Sequence, residues 1–250
     1  MKSFIKNLAA KMGYKVQNTK YMLKPFLEGN HVMGLDFDHV LSKYLLNLPD
    51  PSAFTFIQVG AFDGIECDPL RKYLLRYNWK GVMMEPQPVP FGKLSKQYEG
   101  RSELNILNAA ISKTNGKAHL FILQGDDLPE WTKGMASFEK ANILKHAYLV
   151  PNLEKYITEI EIDTVSFEEI FKRNNLKKVD LLQVDTEGFD AEVIRMFPFH
   201  LLKPAVIHFE CKHIQKDDLE NLLADLIQKG YEVAYDRGED MMAVLPEQIK

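Results

Sequence analysis

The stretch FTFIQVGAFDGIECDPLRKYLLRY, residues 54–77, decides how the rest of the chain is read. Phe54, Phe56, Ile57 and Val59 form a short aromatic and β-branched run, which suits a strand covered on both faces. The run stops at Gly60. Gly64 follows, and Leu70, Tyr73, Leu74 and Tyr77 then recur at helical spacing. Residues 60–64 are therefore expected to form a strand-to-helix turn. Glycine there permits positive φ and close approach of a ligand to the backbone, while free N–H groups at a helix start favour an electronegative partner. Paired glycines also occur in plain βα connections, so the turn by itself leaves both readings open.

Composition sets the outer bounds. A chain of 250 residues that is 46% hydrophobic can bury a full core as one large α/β domain with or without an appendage. Cys67 and Cys211 are the only cysteines, which excludes a disulfide framework, a CxxC pair and a zinc pattern and fits a reduced, cytoplasmic setting. Neither thiol is expected to be catalytic. A formal net charge of -4 gives no general attraction to nucleic acid, so no such partner is expected. The start of the chain differs from this average: Lys2, Lys6, Lys11, Lys15, Lys20 and Lys24 all precede the first acidic residue, Glu28. Phe4, Ile5, Leu8 and Met12 are interleaved with them, without an apolar run of signal-peptide or membrane-spanning length. Such a basic amphipathic helix either rests peripherally on an anionic membrane face or packs, solvated, on the domain. Residues 1–50 are accordingly read as an N-terminal helical extension and 51–250 as the main domain.

Beyond the first strand, GVMMEP (81–86) and LNILNAAIS (104–112) read as buried strands with a helical PFGKLSKQY between them. AHLFIL (118–123) and KYITEIEIDTV (155–165) are further strand-like runs. They bracket an irregular segment, 124–154, that reads as an inserted lid or substrate segment. VDLLQVD (179–185), a helical AEVIRMF, PAVIHFE (204–210), a helical DLENLLADLIQKG and a closing hairpin around Asp236 and Gly238 complete the order. Alternating strands and helices with a terminal hairpin predict an α/β, Rossmann-like class I methyltransferase fold: a mainly parallel seven-stranded sheet with a C-terminal antiparallel hairpin.

Ligands in such sheets lie beyond the carboxyl ends of the strands, near the point where strand order reverses. The stations there are Gly60 to Gly64, Glu85, Asn108 with Ala109, Asp185 with Glu187, and Glu210. Glu85 ends the second strand, where a carboxylate can accept hydrogen bonds from both ribose hydroxyls of an adenosine cofactor. The sequence GAFDG lacks the third glycine of the dinucleotide fingerprint. Asp63 within it would repel a pyrophosphate and suits the ammonium or sulfonium of S-adenosylmethionine.

In order, FIQVGAFDG, GVMMEP, LNAAIS, LLQVDTEGFDAEVI and PAVIHFE resemble the FkbM family of S-adenosylmethionine-dependent methyltransferases over about residues 54–212. The resemblance implies methyl transfer to oxygen, commonly on sugars, glycans or related metabolites. By position it implies cofactor contacts from Gly60, Ala61, Asp63, Gly64, Glu85 and Pro86, an adenine region at Asn108 and Ala109, and a catalytic edge at Asp185 and Glu187. Two positions depart from the family pattern. Gln58 stands where an acidic residue is common, and Ser166 stands where an aspartate is expected before the fourth core strand.

An alcohol needs a base or a metal to take its proton. Asp185, Glu187 and Glu210 are the catalytic candidates, with His213 a further possible base. Asp185 and Glu187 also fit simple helix capping. Asp185 with Glu210 could hold Mg²⁺, but two carboxylates are no metal signature and no metal ligand is assigned. The acceptor is expected to be sugar-containing or a small hydroxylated molecule, with Trp131 and Phe138 offering apolar faces. A cofactor-fold module without chemistry, acting as a membrane-attached scaffold, and a nicotinamide-dependent oxidoreductase are the alternatives.

Overall fold

The computed structural model describes residues 34–129, 132–236 and 239–249. The lysine-rich N-terminal stretch, Trp131 and Gly238 of the hairpin turn lie outside them. Helix α1 (Phe37–Asn47) precedes β1 (Thr55–Val59), α2 (Arg71–Leu74), β2 (Lys80–Met84), α3 (Pro88–Gln97) and β3 (Leu104–Leu107). Next come β4 (Ala109–Ile111), β5 (Gly116–Leu123), β6 (Ala136–Ser137), α4 (Lys140–Leu144) and β7 (Ile157–Val165). The chain continues through α5 (Phe167–Arg173), β8 (Leu181–Val184), α6 (Asp190–Met196), β9 (Val206–Glu210), α7 (Lys216–Gln228), β10 (Glu232–Asp236) and β11 (Asp240–Val244).

Seven strands form the main sheet in the order β10-β11-β9-β8-β1-β2-β3. Every pairing from β9 to β3 is parallel, while β11 inserts between β9 and β10 and runs antiparallel to both. This is the α/β class I methyltransferase arrangement. Strand order reverses between β1 and β8, so the crevice lies beyond Val59, Met84 and Val184.

Side chains alternate between two covered faces, which is why these strands read as continuous apolar runs. Ile57, Val82, Leu182 and Ile207 meet α5, α6 and α7 through Phe167, Ile170, Val193, Leu222 and Leu223. Phe56, Met83, Leu181 and Val206 meet α1 and α3 through Leu41, Leu45 and Leu94. Residues 34–47, read from sequence as part of an extension, thus contribute a helix to the core; Leu35 also donates its N–H to Tyr235 O at 3.0 Å.

Two local differences from the sequence reading have clear causes. The expected strand 104–112 divides at Asn108: Leu104–Leu107 pairs with β2, whereas Ala109–Ile111 pairs with β7. Strands β5 and β7, the runs that bracket the irregular segment, join β4 and β6 in a separate four-stranded sheet, β4-β7-β5-β6. The segment between them folds over a small core of its own, made of Leu123, Met135, Ile143, Val150 and Leu153. Ser166, in place of the expected aspartate, caps α5 by accepting from the Glu169 N–H at 3.3 Å, a function the two residue types share.

Asp180 ties α1 to the sheet. Its carboxylate is buried and accepts from Tyr44 Oη at 2.6 Å, from Thr55 N at 2.6 Å and from Thr55 Oγ1 at 2.8 Å, with Lys178 Nζ at 3.0 Å. Truncating one member of a buried charged network costs about 3–5 kcal/mol, because the remaining donors are left without partners. Asp180→Ala should therefore lose about that much stability in urea unfolding, and Tyr44→Phe, which removes one hydroxyl, only about 0.5–1.5 kcal/mol.

Candidate active site

The turn after β1 is shaped by contact with the loop after β8. Gly60 has φ +79°, and a Cβ there would lie 1.7 Å from the carbonyl oxygen of Asp185. Both Gly60 and Ala61 donate their N–H groups to Met84 O, at 3.0 and 2.9 Å. Phe62, at φ 46°, donates its N–H to Glu85 Oε2 at 3.0 Å. The other oxygen of Glu85 accepts from Gln87 N at 2.8 Å. One buried carboxylate thereby fixes the turns that follow β1 and β2.

Asn108 fastens the same corner from outside, donating from Nδ2 to Glu85 O at 2.8 Å and Pro86 O at 3.0 Å. Gln87 Nε2 reaches Gly134 O at 3.0 Å and so links the corner to the inserted segment. Asp63, expected to face the cofactor's ammonium, is buried; its Oδ1 accepts from Ile65 N and Glu66 N, both at 3.0 Å, and shapes the turn instead.

Three cavities meet this edge. The first, about 570 Å³ with its mouth, has Gly60, Glu85, Pro86 and Asp185 on one side and an apolar wall that includes Ile111 and Leu120. A second, about 1150 Å³ with its mouth, lies between the inserted segment and the loop after β9, where Asn142, His146 and His213 line it. Ser137, Phe138, Glu187 and Phe189 line both. The third is an acidic cleft on the α1 face, lined by Gln183, Asp185, His208, Glu210, Asp236 and Asp240. Asp185 is the wall between the first cavity and the third.

The sequence candidates therefore separate. Gly60, Glu85, Pro86 and Asp185 share the first cavity, Glu187 joins them from its junction with the second, and Glu210 belongs to the acidic cleft. Ala61, Asp63, Gly64, Asn108 and Ala109 support these walls without lining the first cavity. Two residues that matter here were missed from sequence. Asp190, fully buried, accepts from Thr186 N at 3.2 Å and Gly188 N at 3.1 Å, so it, and neither Asp185 nor Glu187, braces the loop. Its signal was an acidic residue directly ahead of the helical AEVIRMF. Gln183 Oε1 accepts from His208 Nδ1 at 2.8 Å inside the sheet; nothing in a lone strand glutamine announces that partner.

Burial dominates the electrostatics. It raises Glu85 to about 7 against the two backbone N–H donors, and raises Asp190 to about 6 against its own pair. Glu210 is raised to about 9 by burial, then by the charges of Asp185 and Glu187. Asp185 is raised to about 8 by the same causes, desolvation and then Asp190. Its side chain is nevertheless open to the clefts, so water within them weakens that shift. Glu187 runs the other way, held below its ordinary value by the hydrogen bond from His213.

The donor set fits an adenosyl sulfonium. Each Glu85 oxygen accepts one backbone N–H and keeps a further lone pair for a ribose hydroxyl. Ile111, Leu120 and Val193 supply the apolar surface an adenine needs, and the acidic edge at Asp185 suits a positive sulfur. Glu187, Glu210 and His213, and separately His208, Asp236 and Asp240, bring ligand atoms within 4.8 Å of one another. Proximity of such groups does not by itself make a coordination site.

The sequence profile of the methyltransferase FkbM domain matches residues 58–235. The 2-O-methyltransferase NoeI of Sinorhizobium fredii (strain NBRC 101917 / NGR234) is 24% identical over 168 residues, 66% of this chain; the match spans 65% of that relative's length. Among solved structures, methyltransferase FkbM from Methylobacillus flagellatus KT is 14% identical, with a TM-score of 0.46 over 77% of this chain and 43% of its own. The N-terminal domain of human METTL16 in complex with SAH is 12% identical, with a TM-score of 0.44 over 95% and 78% of the two chains.

Glu85→Ala should weaken S-adenosylhomocysteine binding at least tenfold in calorimetry, since a single hydrogen bond to a charged group is worth about 1.5–3 kcal/mol. Undiminished affinity in a folded variant would remove Glu85 from the cofactor site. The raised carboxylates also predict a pH dependence. A group whose folded pKa lies above its unfolded value stabilises the fold below the unfolded pKa, and that contribution is lost as pH rises through the folded one. Glu85, Asp190 and Glu210 therefore favour a melting temperature that declines from about pH 5 to about pH 9. Glu210→Gln should flatten the upper part of that decline; an unchanged slope would show that Glu210 is not desolvated in solution.

Proposed function

Since the chain belongs to the FkbM methyltransferase family and takes S-adenosylmethionine as cofactor, we propose that it methylates a hydroxyl on a sugar-containing or related small acceptor. One observation carries the proposal: the cavity bounded by Gly60, Glu85 and Asp185 shares Ser137, Phe138, Glu187 and Phe189 with a second cavity open to solvent. A donor in the first and an acceptor in the second can meet only at those four side chains. Phe138 and Phe189 lie 5.0 Å apart there and offer ring faces to a sugar. The similarity of 66% of this chain to the 2-O-methyltransferase NoeI supports oxygen as the acceptor atom.

When bound, the cofactor supplies an electrophilic methyl group on a positively charged sulfur. The chain supplies position and dryness. Glu85 would hold the nucleoside end, Ile111 and Leu120 would exclude water beside it, and Asp185 would offer its carboxylate to the positive sulfur. Transfer is an in-line displacement, for which such orientation provides much of the acceleration. Glu187 stands at the junction, where an acceptor hydroxyl would arrive.

Two assays test the proposal. Parallel calorimetric titration with S-adenosylmethionine, S-adenosylhomocysteine and NAD should give binding by the first two, and tight NAD binding would favour an oxidoreductase. Transfer of labelled methyl to a panel of glycans, small hydroxylated metabolites and protein side chains should label hydroxyls. Phe138→Ala should raise the acceptor KM about tenfold, in line with about 0.5–1.5 kcal/mol for an aromatic contact, while cofactor affinity stays the same. Labelling confined to protein nitrogen would overturn the hydroxyl reading.

A further inference from the structure

An acceptor hydroxyl at the junction needs a base, and two of the carboxylates read from sequence stand elsewhere. Asp185 and Glu210 do not line the second cavity. His213, in the loop after β9, does. Its Nε2 lies 3.4 Å from Glu187 Oε2 and 4.0 Å from Glu210 Oε2. The Glu210 oxygen is itself buried and has no hydrogen-bond partner among the described residues. The loop after β8 is formed around this imidazole. Gly188 has φ +105°, and a Cβ there would come within 3.2 Å of His213 Cβ. The preceding residue, Glu187, is held at φ 53°, a conformation that costs a non-glycine residue free energy and is retained where surroundings demand it. His146 approaches edge-on, its ring centroid 5.9 Å from that of His213.

We propose that His213 is the general base for the acceptor hydroxyl and that Glu187 is its positioning residue. This assignment rests on the hydroxyl reading above. Glu187, with Glu210 Oε2 4.0 Å from the same nitrogen, takes the Nε2 proton as a hydrogen-bond acceptor and so fixes the ring's tautomer, which leaves Nδ1 as the nitrogen that accepts a proton. In the balanced step the acceptor oxygen forms its bond to the methyl carbon as its proton passes to Nδ1. The electron pair of the broken carbon–sulfur bond stays with sulfur. The imidazolium that forms faces the carboxylate of Glu187 and returns its proton to water through the open second cavity.

The test compares wild type, His213→Gln, His213→Gly and Glu187→Gln, each with its melting temperature and its S-adenosylhomocysteine affinity. His213→Gln should lower kcat for hydroxyl acceptors by about 10²–10⁴-fold, the usual contribution of a general base, with cofactor affinity unchanged. Added imidazole should restore part of the turnover of His213→Gly, which a purely structural role would not permit. Glu187→Gln should lower kcat with little change in acceptor KM. If wild type labels hydroxyls and His213→Gln turns over undiminished, the base assignment fails while the hydroxyl reading stands. If wild type labels only nitrogen, that reading fails and takes the base with it. Turnover lost to a chelator, restored by Mg²⁺ in wild type and not in His213→Gln, would make Glu187, Glu210 and His213 a cation site instead.

Discussion

The packing of Gly60 against the carbonyl of Asp185 is the constraint on which the active edge depends. A side chain at Gly60 would occupy the position of that oxygen, with only 1.7 Å between them. The two central strands can therefore end side by side, and Asp185 N can still bond to Val59 O at 2.9 Å. From this contact the rest follows in order. With Gly60 in the left-handed region, two consecutive N–H groups turn to Met84 O and a third to Glu85. Glu85 is then fixed in the wall of the first cavity, which Asp185 also lines.

The same edge concentrates negative charge to a degree that is unfavourable for the fold alone. Glu85, Asp190 and Glu210 are all pushed towards protonation by burial, with mutual repulsion adding to Glu210. Carboxylates with raised pKa values that border clefts, as Glu85 and Glu210 do, are a mark of a site built for a partner. A cofactor with a positive sulfur is such a partner, since its charge offsets repulsion among them. Glu187 stands apart because His213 already compensates it. Along one loop, then, Asp185 lines the first cavity and Glu187, two residues further on, meets an imidazole.

Much of this was legible in the sequence because it depends on local signals. A β-branched run ending in glycine, a glutamate at the next strand end and a terminal hairpin carry the order and direction of the sheet without any knowledge of partners. What escaped depends on pairing across distance. Strands β5 and β7 differ from the central strands in that β7 alternates its apolar residues with Glu159, Glu161 and Asp163, a mark of a half-exposed sheet, and their mutual register over eight residue pairs places them in a second sheet. Asn108 reads as one polar position in a strand, yet its two bonds to Glu85 O and Pro86 O let the chain leave one sheet for the other. Asp63 was matched to a cofactor charge on its residue type. Its side chain is consumed by the N–H groups of Ile65 and Glu66, a local turn that competes with any ligand. His213 was legible only as a possible base without a partner, because Glu187, 26 positions earlier, becomes its neighbour only when β8 and β9 pair.

The second sheet gives the fold its division of labour. The parallel strands and their turns supply a cofactor edge whose form follows from strand order, as in other sheets of this kind. The inserted strands supply Ser137 and Phe138, and α4 is followed by His146; all three face the acceptor side. The two parts are joined by few bonds, among them that of Gln87 Nε2 to Gly134 O at 3.0 Å and the contact of Phe138 with Phe189. Substitutions within the insertion can thus reshape the second cavity while Gly60, Glu85 and Asp185 keep their positions, because those positions are set by backbone contacts within the main sheet. On the proposed function, acceptor choice falls to the inserted segment and to the loop that carries His213, and the methyl donor to the strand ends.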